Sequence, residues 1–235
     1  MRKIFIALIT LVNLSYGQNI YATFDVVAQK SANLAFTASG IVEEVKVDIG
    51  SIVSKNQTLA KLESKDIQAM LKKTQIALKF AKRELDRQKK VKKFIDASKY
   101  DKVLSNYENA KASVAYQEAL YEKTILKAPF VGVIYDKSIE VGDVVSGMML
   151  KTVFKIQSLH ARKLILAFDQ KYHGIVKVGQ IFEYKVDGDE KKYRGVISKI
   201  YPYANSNNRK IKAEVMAKDF IVGLFGDGMI LVDGK

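Results

Sequence analysis

Between Ser64 and Glu122 the apolar residues recur at alternating steps of three and four. Ile67, Leu71, Leu78, Ala81 and Leu85 fall on one seam, with Thr74 and Gln88 as its polar members. Tyr100, Val103, Tyr107, Ala110, Val114 and Tyr121 make a second seam, with Gln117 as its polar member. This is the heptad rhythm of helices that pack on one another. No glycine lies between Gly50 and Gly132, and the first proline is Pro129, so nothing breaks helix over this span. The seams part at Phe94-Ile95-Asp96-Ala97-Ser98, where Ser98 with Asp101 three residues on has the form of a helix start. The pattern predicts two antiparallel helices of about 25–30 residues, each roughly 40 Å long.

On both sides of this stretch the rhythm changes to alternation with glycine at the bends. Before it stands Gly40-Ile41-Val42, with Gly50 ten residues after Gly40 and Val53-Ser54 beyond. After it stands Gly132-Val133-Ile134, with Gly142 ten residues on and Val145-Ser146 beyond. Each half runs into a short apolar strand, Thr58–Leu62 and Val153–Ile156. β-branched alternation with Gly at fixed spacing describes small strands and tight turns. Two copies separated by a helical hairpin predict one pseudo-symmetric β-domain whose halves meet in space, with the hairpin inserted between them.

The remaining pattern is also strand-like. Tyr21–Ala28 and Asn33–Phe36 are short candidate strands ahead of the first half. Downstream come Ala161–Phe168, one or two helical turns over Gln170–Val176, and a turn at Val178-Gly179-Gln180. Phe182–Val186 leads into the hairpin turn Asp187-Gly188-Asp189-Glu190. Tyr193–Ile200 returns and is ended by Pro202. Lys210–Lys218 alternates, with Ile211, Ala213, Val215 and Ala217 on one side, and Gly228–Val232 closes the set. About six short strands and one small helix suit a small antiparallel barrel.

Charge and chemistry narrow the function. Lys and Arg total 39 against 25 Asp and Glu, a net +14, of which +12 remains without Arg2 and Lys3. Such a balance raises nucleic acid as a partner, but the N-terminus argues otherwise. Met1-Arg2-Lys3, an apolar run Ile4–Leu14 and Ser15-Tyr16-Gly17 form a secretory signal with cleavage expected after Gly17. The apolar run is short of the about 20 residues that span a bilayer. There is no cysteine, which excludes a lipid-anchored form and disulfides. The expected location is the periplasm, with no nucleic-acid partner.

No enzyme, cofactor or metal is expected. His160 and His173 are far apart and lack clustered carboxylates. Glu43 and Glu44 are adjacent on a strand and point to opposite faces, a poor geometry for paired acid–base work. Met148-Met149 could meet a soft metal, but packing is the favoured reading. Arg87-Gln88-Lys89-Lys90-Val91-Lys92-Lys93 holds five positive charges in seven residues. By itself this is a solvated basic helix end; at a protruding tip it would steer an acidic partner.

Two half-motifs around a helical hairpin, the second opened by Thr124-Ile125-Leu126-Lys127-Ala128-Pro129-Phe130-Val131-Gly132, resemble the periplasmic adaptor (membrane fusion protein) family of tripartite efflux pumps. The tail resembles it too, at Lys177-Val178-Gly179-Gln180, Gly195–Pro202, Arg209 and Gly228-Met229. The resemblance covers roughly residues 20 to 230. It implies a mixed α and β, multidomain and elongated protein, with an antiparallel α-helical coiled-coil hairpin inserted in a split lipoyl-like β-domain and a small antiparallel β-barrel domain. The expected segments are a signal peptide at 1–17, barrel at 18–37 and 158–235, lipoyl-like halves at 38–63 and 123–157, and hairpin at 64–122.

The resemblance also implies partners. Arg87, Val91 and Ser98 match a tip pattern of arginine, leucine and serine that contacts a TolC-like outer-membrane channel, with Val91 departing from the usual leucine. Their plain readings are a solvated arginine, a seam valine and a helix N-cap. An inner-membrane transporter of the resistance-nodulation-division type and a ring of several copies are further implied partners. The stop at Lys235 leads one to expect that the family's membrane-proximal domain is absent or a stub, with transporter contact falling on 158–235 and 18–37. Two rival readings remain: a lipoyl- or biotinyl-type carrier, whose lysine turn the hairpin here replaces, and a coiled-coil protein binding anionic cell-wall polymer.

Overall fold

The computed structural model describes residues 19–91 and 96–232. Residues 1–17, expected to be a signal, and Lys92 and Lys93 lie outside the described residues. In chain order the strands before the helices are β1 (Ile20–Ala28), β2 (Ser31–Leu34), β3 (Gly40–Val45), β4 (Ile52–Val53) and β5 (Thr58–Leu62). The helices are α1 (Lys65–Lys90) and α2 (Ala97–Glu122). Then follow β6 (Ile125–Lys127), β7 (Gly132–Lys137), β8 (Val144–Val145), β9 (Phe154–Ser158) and β10 (Ala161–Asp169). The last are β11 (Ile181–Val186), β12 (Tyr193–Ala204), β13 (Lys210–Lys218) and β14 (Phe225–Ile230). The chain divides into two compact units, one of residues to Gln29 and from His160, the other Lys30–Leu159.

The first unit is a closed six-stranded barrel in the order β1-β10-β13-β12-β11-β14, antiparallel throughout. Alternation decides what fills it. Leu164, Leu166 and Phe168 of β10 and Ala213 and Val215 of β13 point inward and are buried, as are Ile20, Ala22, Phe24 and Val26 of β1. Phe24 meets Phe182 edge-on at 5.8 Å and 88°, a favoured aromatic geometry. The small helix is a single 3-10 turn at Gln170–Tyr172. Two boundaries differ from the pattern. β12 runs through Pro202 to Ala204, because its pairing with β13 shifts register between Ile200 and Ala204, and a bulge asks no ladder donor of a proline. β14 starts at Phe225 rather than Gly228, since glycines at 226 and 228 let it pass close to β11: a Cβ on Gly228 would lie 2.2 Å from the Glu183 carbonyl oxygen.

The second unit contains two four-stranded sheets, β2-β9-β7-β4 and β6-β5-β3-β8. The first takes β7 and β9 from the second half-motif, β4 from the first half and β2 from the segment before it, and the second flanks β3 and β5 of the first half with β8 and β6 of the second. The exchange is reciprocal in detail. Gly50 N–H donates to Ile134 O at 2.8 Å, and Gly142 N–H donates to Val42 O at 2.9 Å. Both glycines have positive φ, +87° and +93°, a conformation that disfavours any Cβ. The repeat in the sequence is therefore a quasi-two-fold in space. Its core holds Val42, Leu59, Leu62, Ile134, Phe154 and Ile156.

Two expectations are corrected here. Residues 30–37 were assigned to the barrel, but Ser31–Leu34 pairs with β9 and belongs to the two-sheet unit, as do Ser158 and Leu159. Strand character alone does not say which sheet a segment joins. Met148 and Met149, expected to pack, are 94% and 79% exposed. Eight residues join β8 to β9 against four between β4 and β5, so the longer loop overhangs its sheet instead of filling it.

From the second unit rise the two helices, each of 26 residues. At their base Leu62 N–H donates to Thr124 O at 2.9 Å, while residues 91–96 join their far ends, so the helices run antiparallel. Every seam position named above is at least half-buried, and Leu85 and Val114 are buried. Thr74 satisfies its hydroxyl within its own helix, on Leu71 O at 2.8 Å. Among the described residues no helix is long and apolar enough to cross a membrane.

Candidate functional site

The far end of the hairpin carries the three singled-out residues, and each is in solvent. Arg87 is 70% exposed along its side chain. It is not free: its Nε donates to Glu84 Oε2 at 3.1 Å, and its Nη2 reaches the same oxygen. Gln88 Nε2 donates to the other Glu84 oxygen at 2.9 Å. The Gln88 amide first, and the Arg87 guanidinium after it, hold the Glu84 carboxyl below its ordinary value. The sequence reading missed Glu84, although its spacing of three to Arg87 and four to Gln88 is the one that lets helix side chains meet. One consequence is orientation, since the pair steadies a long side chain that would otherwise sample many rotamers.

Val91 ends α1, its N–H bonded to Gln88 O at 3.2 Å. It is 43% exposed, one turn beyond Arg87 on the same face, and therefore not a seam residue. Arg87, Lys89 and Lys90 occupy the last turn, where cations complement the negative helix end.

Ser98 does not cap α2. The cap is Asp96, whose Oδ1 accepts from Ser98 N–H at 2.7 Å and Lys99 N–H at 3.4 Å. Asp96 has extended backbone (φ −60°, ψ 138°), as N-caps do, and its carboxylate reaches the first free N–H groups. Ser98 stands exposed in the first turn. Asp96→Ala is accordingly expected to cost about 1 kcal/mol of hairpin stability and Ser98→Ala only a few tenths. Denaturant melts of the two variants followed by helical circular dichroism check this ordering.

Elsewhere several titratable groups are engaged in surface pairs. Glu44 meets Lys46 at 3.2 Å and Lys61 at 3.3 Å. His160 Nδ1 lies 2.8 Å from Asp219 Oδ1, and His173 Nδ1 lies 3.2 Å from Gln170 O. Among the described residues no group of three or more His, Cys, Asp or Glu side chains could hold a metal ion.

A two-sheet unit of interlocked halves, with a helical hairpin between them and a closed barrel beside it in sequence, defines a membrane fusion, or periplasmic adaptor, protein. Residues 30–157, more than half of the chain, match the family model described as the CzcB-like, barrel-sandwich hybrid domain, and the chain belongs to that family. No curated protein matches it. Among solved structures it is similar in fold to a MacA–MexA chimeric protein containing the Pseudomonas aeruginosa MexA alpha-hairpin domain, with TM-score 0.83, 18% identity, and 92% of this chain and 81% of that one covered. MacA from Actinobacillus actinomycetemcomitans gives TM-score 0.77 at 17% identity, covering 92% and 79%. The membrane fusion protein Spr0693 from Streptococcus pneumoniae R6 gives 0.73 at 17% identity, covering 92% and 99%.

Proposed function

We propose that the chain is the periplasmic adaptor of a tripartite efflux pump, bridging an inner-membrane transporter and a TolC-like outer-membrane channel for export of drugs or other toxic compounds. The observation that carries it is the hairpin: a closed seam makes a stiff two-helix rod, and its far end presents Arg87, Val91 and Ser98 outward rather than into a core. A rod with a solvated, basic, partly apolar end is built to be received by another protein. Residues 1–17 serve as a cleaved export signal, several copies form a ring around the conduit, and the barrel unit takes the transporter of the resistance-nodulation-division type. The protein performs no chemistry of its own.

Removing the chain from its native cell is expected to raise accumulation of a fluorescent pump substrate such as ethidium, and restoring it to lower accumulation again. Unchanged accumulation and unchanged susceptibility across a panel of toxic compounds would count against export as the role.

A further inference from the structure

Between Ile200, paired with Ala213, and Ala204, paired with Ile211, three residues of β12 stand opposite the single Lys212 of β13. That excess does not fit the ladder, so Tyr201-Pro202-Tyr203 bulges from it. The cleft beside the bulge is floored by Phe168 of β10 and Ile211 of β13, buried cross-strand partners. The 3-10 turn at Gln170–Tyr172 supplies the other wall. It is pinned twice: Asp169 Oδ1 accepts from Lys171 N–H at 2.9 Å, and Gln170 N–H donates to Arg209 O at 3.0 Å. Bulge, floor and turn enclose about 630 Å³ within the barrel unit. Small-molecule sites span about 300–1,000 Å³ and are mostly apolar with a few polar groups, and this cleft has that make-up.

Its lining selects by chemistry. The Tyr201 and Tyr203 rings stand 6.1 Å apart, tilted by 41°, and Tyr203 is exposed, so a planar ring has an aromatic wall to stack on. Lys171 is the cation of the lining, and no lining residue is acidic. Its ammonium lies 4.9 Å from the Tyr172 ring centroid and, among the described residues, forms no ion pair with a carboxylate. Glu214 accepts from the Tyr201 hydroxyl at 2.9 Å, but it also meets Lys163 at 3.3 Å, so its charge is already answered. A cationic guest therefore gains no partner here, and a neutral one leaves Lys171 unused. An aromatic anion engages both the rings and the ammonium.

We infer that this cleft binds a small aromatic carboxylic acid, its ring against Tyr201 and Tyr203 and its carboxylate on Lys171 Nζ. The site lies wholly within the barrel unit. Binding there needs neither a second copy nor a membrane partner, and so goes beyond the bridging role.

The test uses the full-length chain purified from its native cell, titrated with three probes and followed by ligand-observed NMR. They are 2-naphthoate, its neutral amide 2-naphthamide, and the cation 2-naphthylmethylammonium. 2-Naphthoate should bind saturably and about tenfold more tightly than the ammonium. Lys171→Gln should weaken 2-naphthoate about tenfold and leave 2-naphthamide unchanged. Tyr203→Ala should weaken both about fivefold, the loss of one stacking face. Both side chains are exposed, so neither substitution opens a core. No saturable binding of 2-naphthoate, or equal or tighter binding of the ammonium, would overturn the inference. So would wild-type affinity in both variants, which places the probe elsewhere, or equal loss of both probes in Lys171→Gln, which removes the charge contact.

Discussion

Arg87→Glu is expected to abolish efflux while leaving export and fold intact. The side chain is mostly in solvent and its sole described partner, Glu84, sits on the same helix, so reversal removes no tertiary contact. An exposed pair within one helix contributes a few tenths of a kcal/mol, too little to unfold a seam of this length. At a docked tip the balance differs. A guanidinium can hold two carboxylate or carbonyl oxygens at once, which an ammonium cannot reproduce. A charge-assisted bond of that kind is worth about 1.5–3 kcal/mol, and the proposed ring would repeat it in every copy. Arg87→Lys should retain part of the activity, and Lys90→Ala nearly all of it, because single screened surface charges contribute little. Drug susceptibility together with adaptor–channel crosslinking of the three variants decides; wild-type behaviour of Arg87→Glu would reduce the tip pattern to an ordinary helix surface.

Leu85→Ala should instead destroy the hairpin's outer half while sparing the sheets. Leu85 is 2% exposed and, with Val114, one of two fully buried apolar residues in the helices. Removing a buried leucine side chain costs about 2–5 kcal/mol when the site cannot collapse around the hole. Two helices have only each other to cover it. The cores of the barrel and of the two-sheet unit contain no helix residue, so the damage should stay local. Amide hydrogen exchange should show lost protection around Leu85 and unchanged protection in both sets of strands. A uniform loss across all strands would show that hairpin and sheets unfold as one.

The parts of the fold that were legible are those with a periodic signal. Each seam position read from the sequence is shielded in the structure, because a heptad pattern admits one packing face. The half-motif repeat was legible because Gly50 and Gly142 must adopt positive φ at matching turns, and that need shows in the sequence as spacing. The barrel strands followed from alternation; Lys210–Lys218 has the bounds that the pattern predicts.

What was not legible depends on tertiary choice. Nothing within Ser31–Leu34 says that it pairs with β9 rather than continuing the barrel. Met148 and Met149 read as packing residues, yet a loop four residues longer than its counterpart leaves them exposed. At the tip, Ser98 and Asp96 both have cap chemistry, and backbone geometry at Asp96 settles which one caps.

The bridging role is tested most directly by site-specific photo-crosslinkers placed in the same native cell at two positions, Val91 on the hairpin and Val196 on the outer face of the barrel. Both side chains are exposed, 43% and 54%, so either can reach a partner without disturbing a core. The expected result is an outer-membrane channel captured from Val91 and an inner-membrane transporter captured from Val196. Capture of the inner-membrane protein from both positions, or of neither membrane's protein from either, would contradict it.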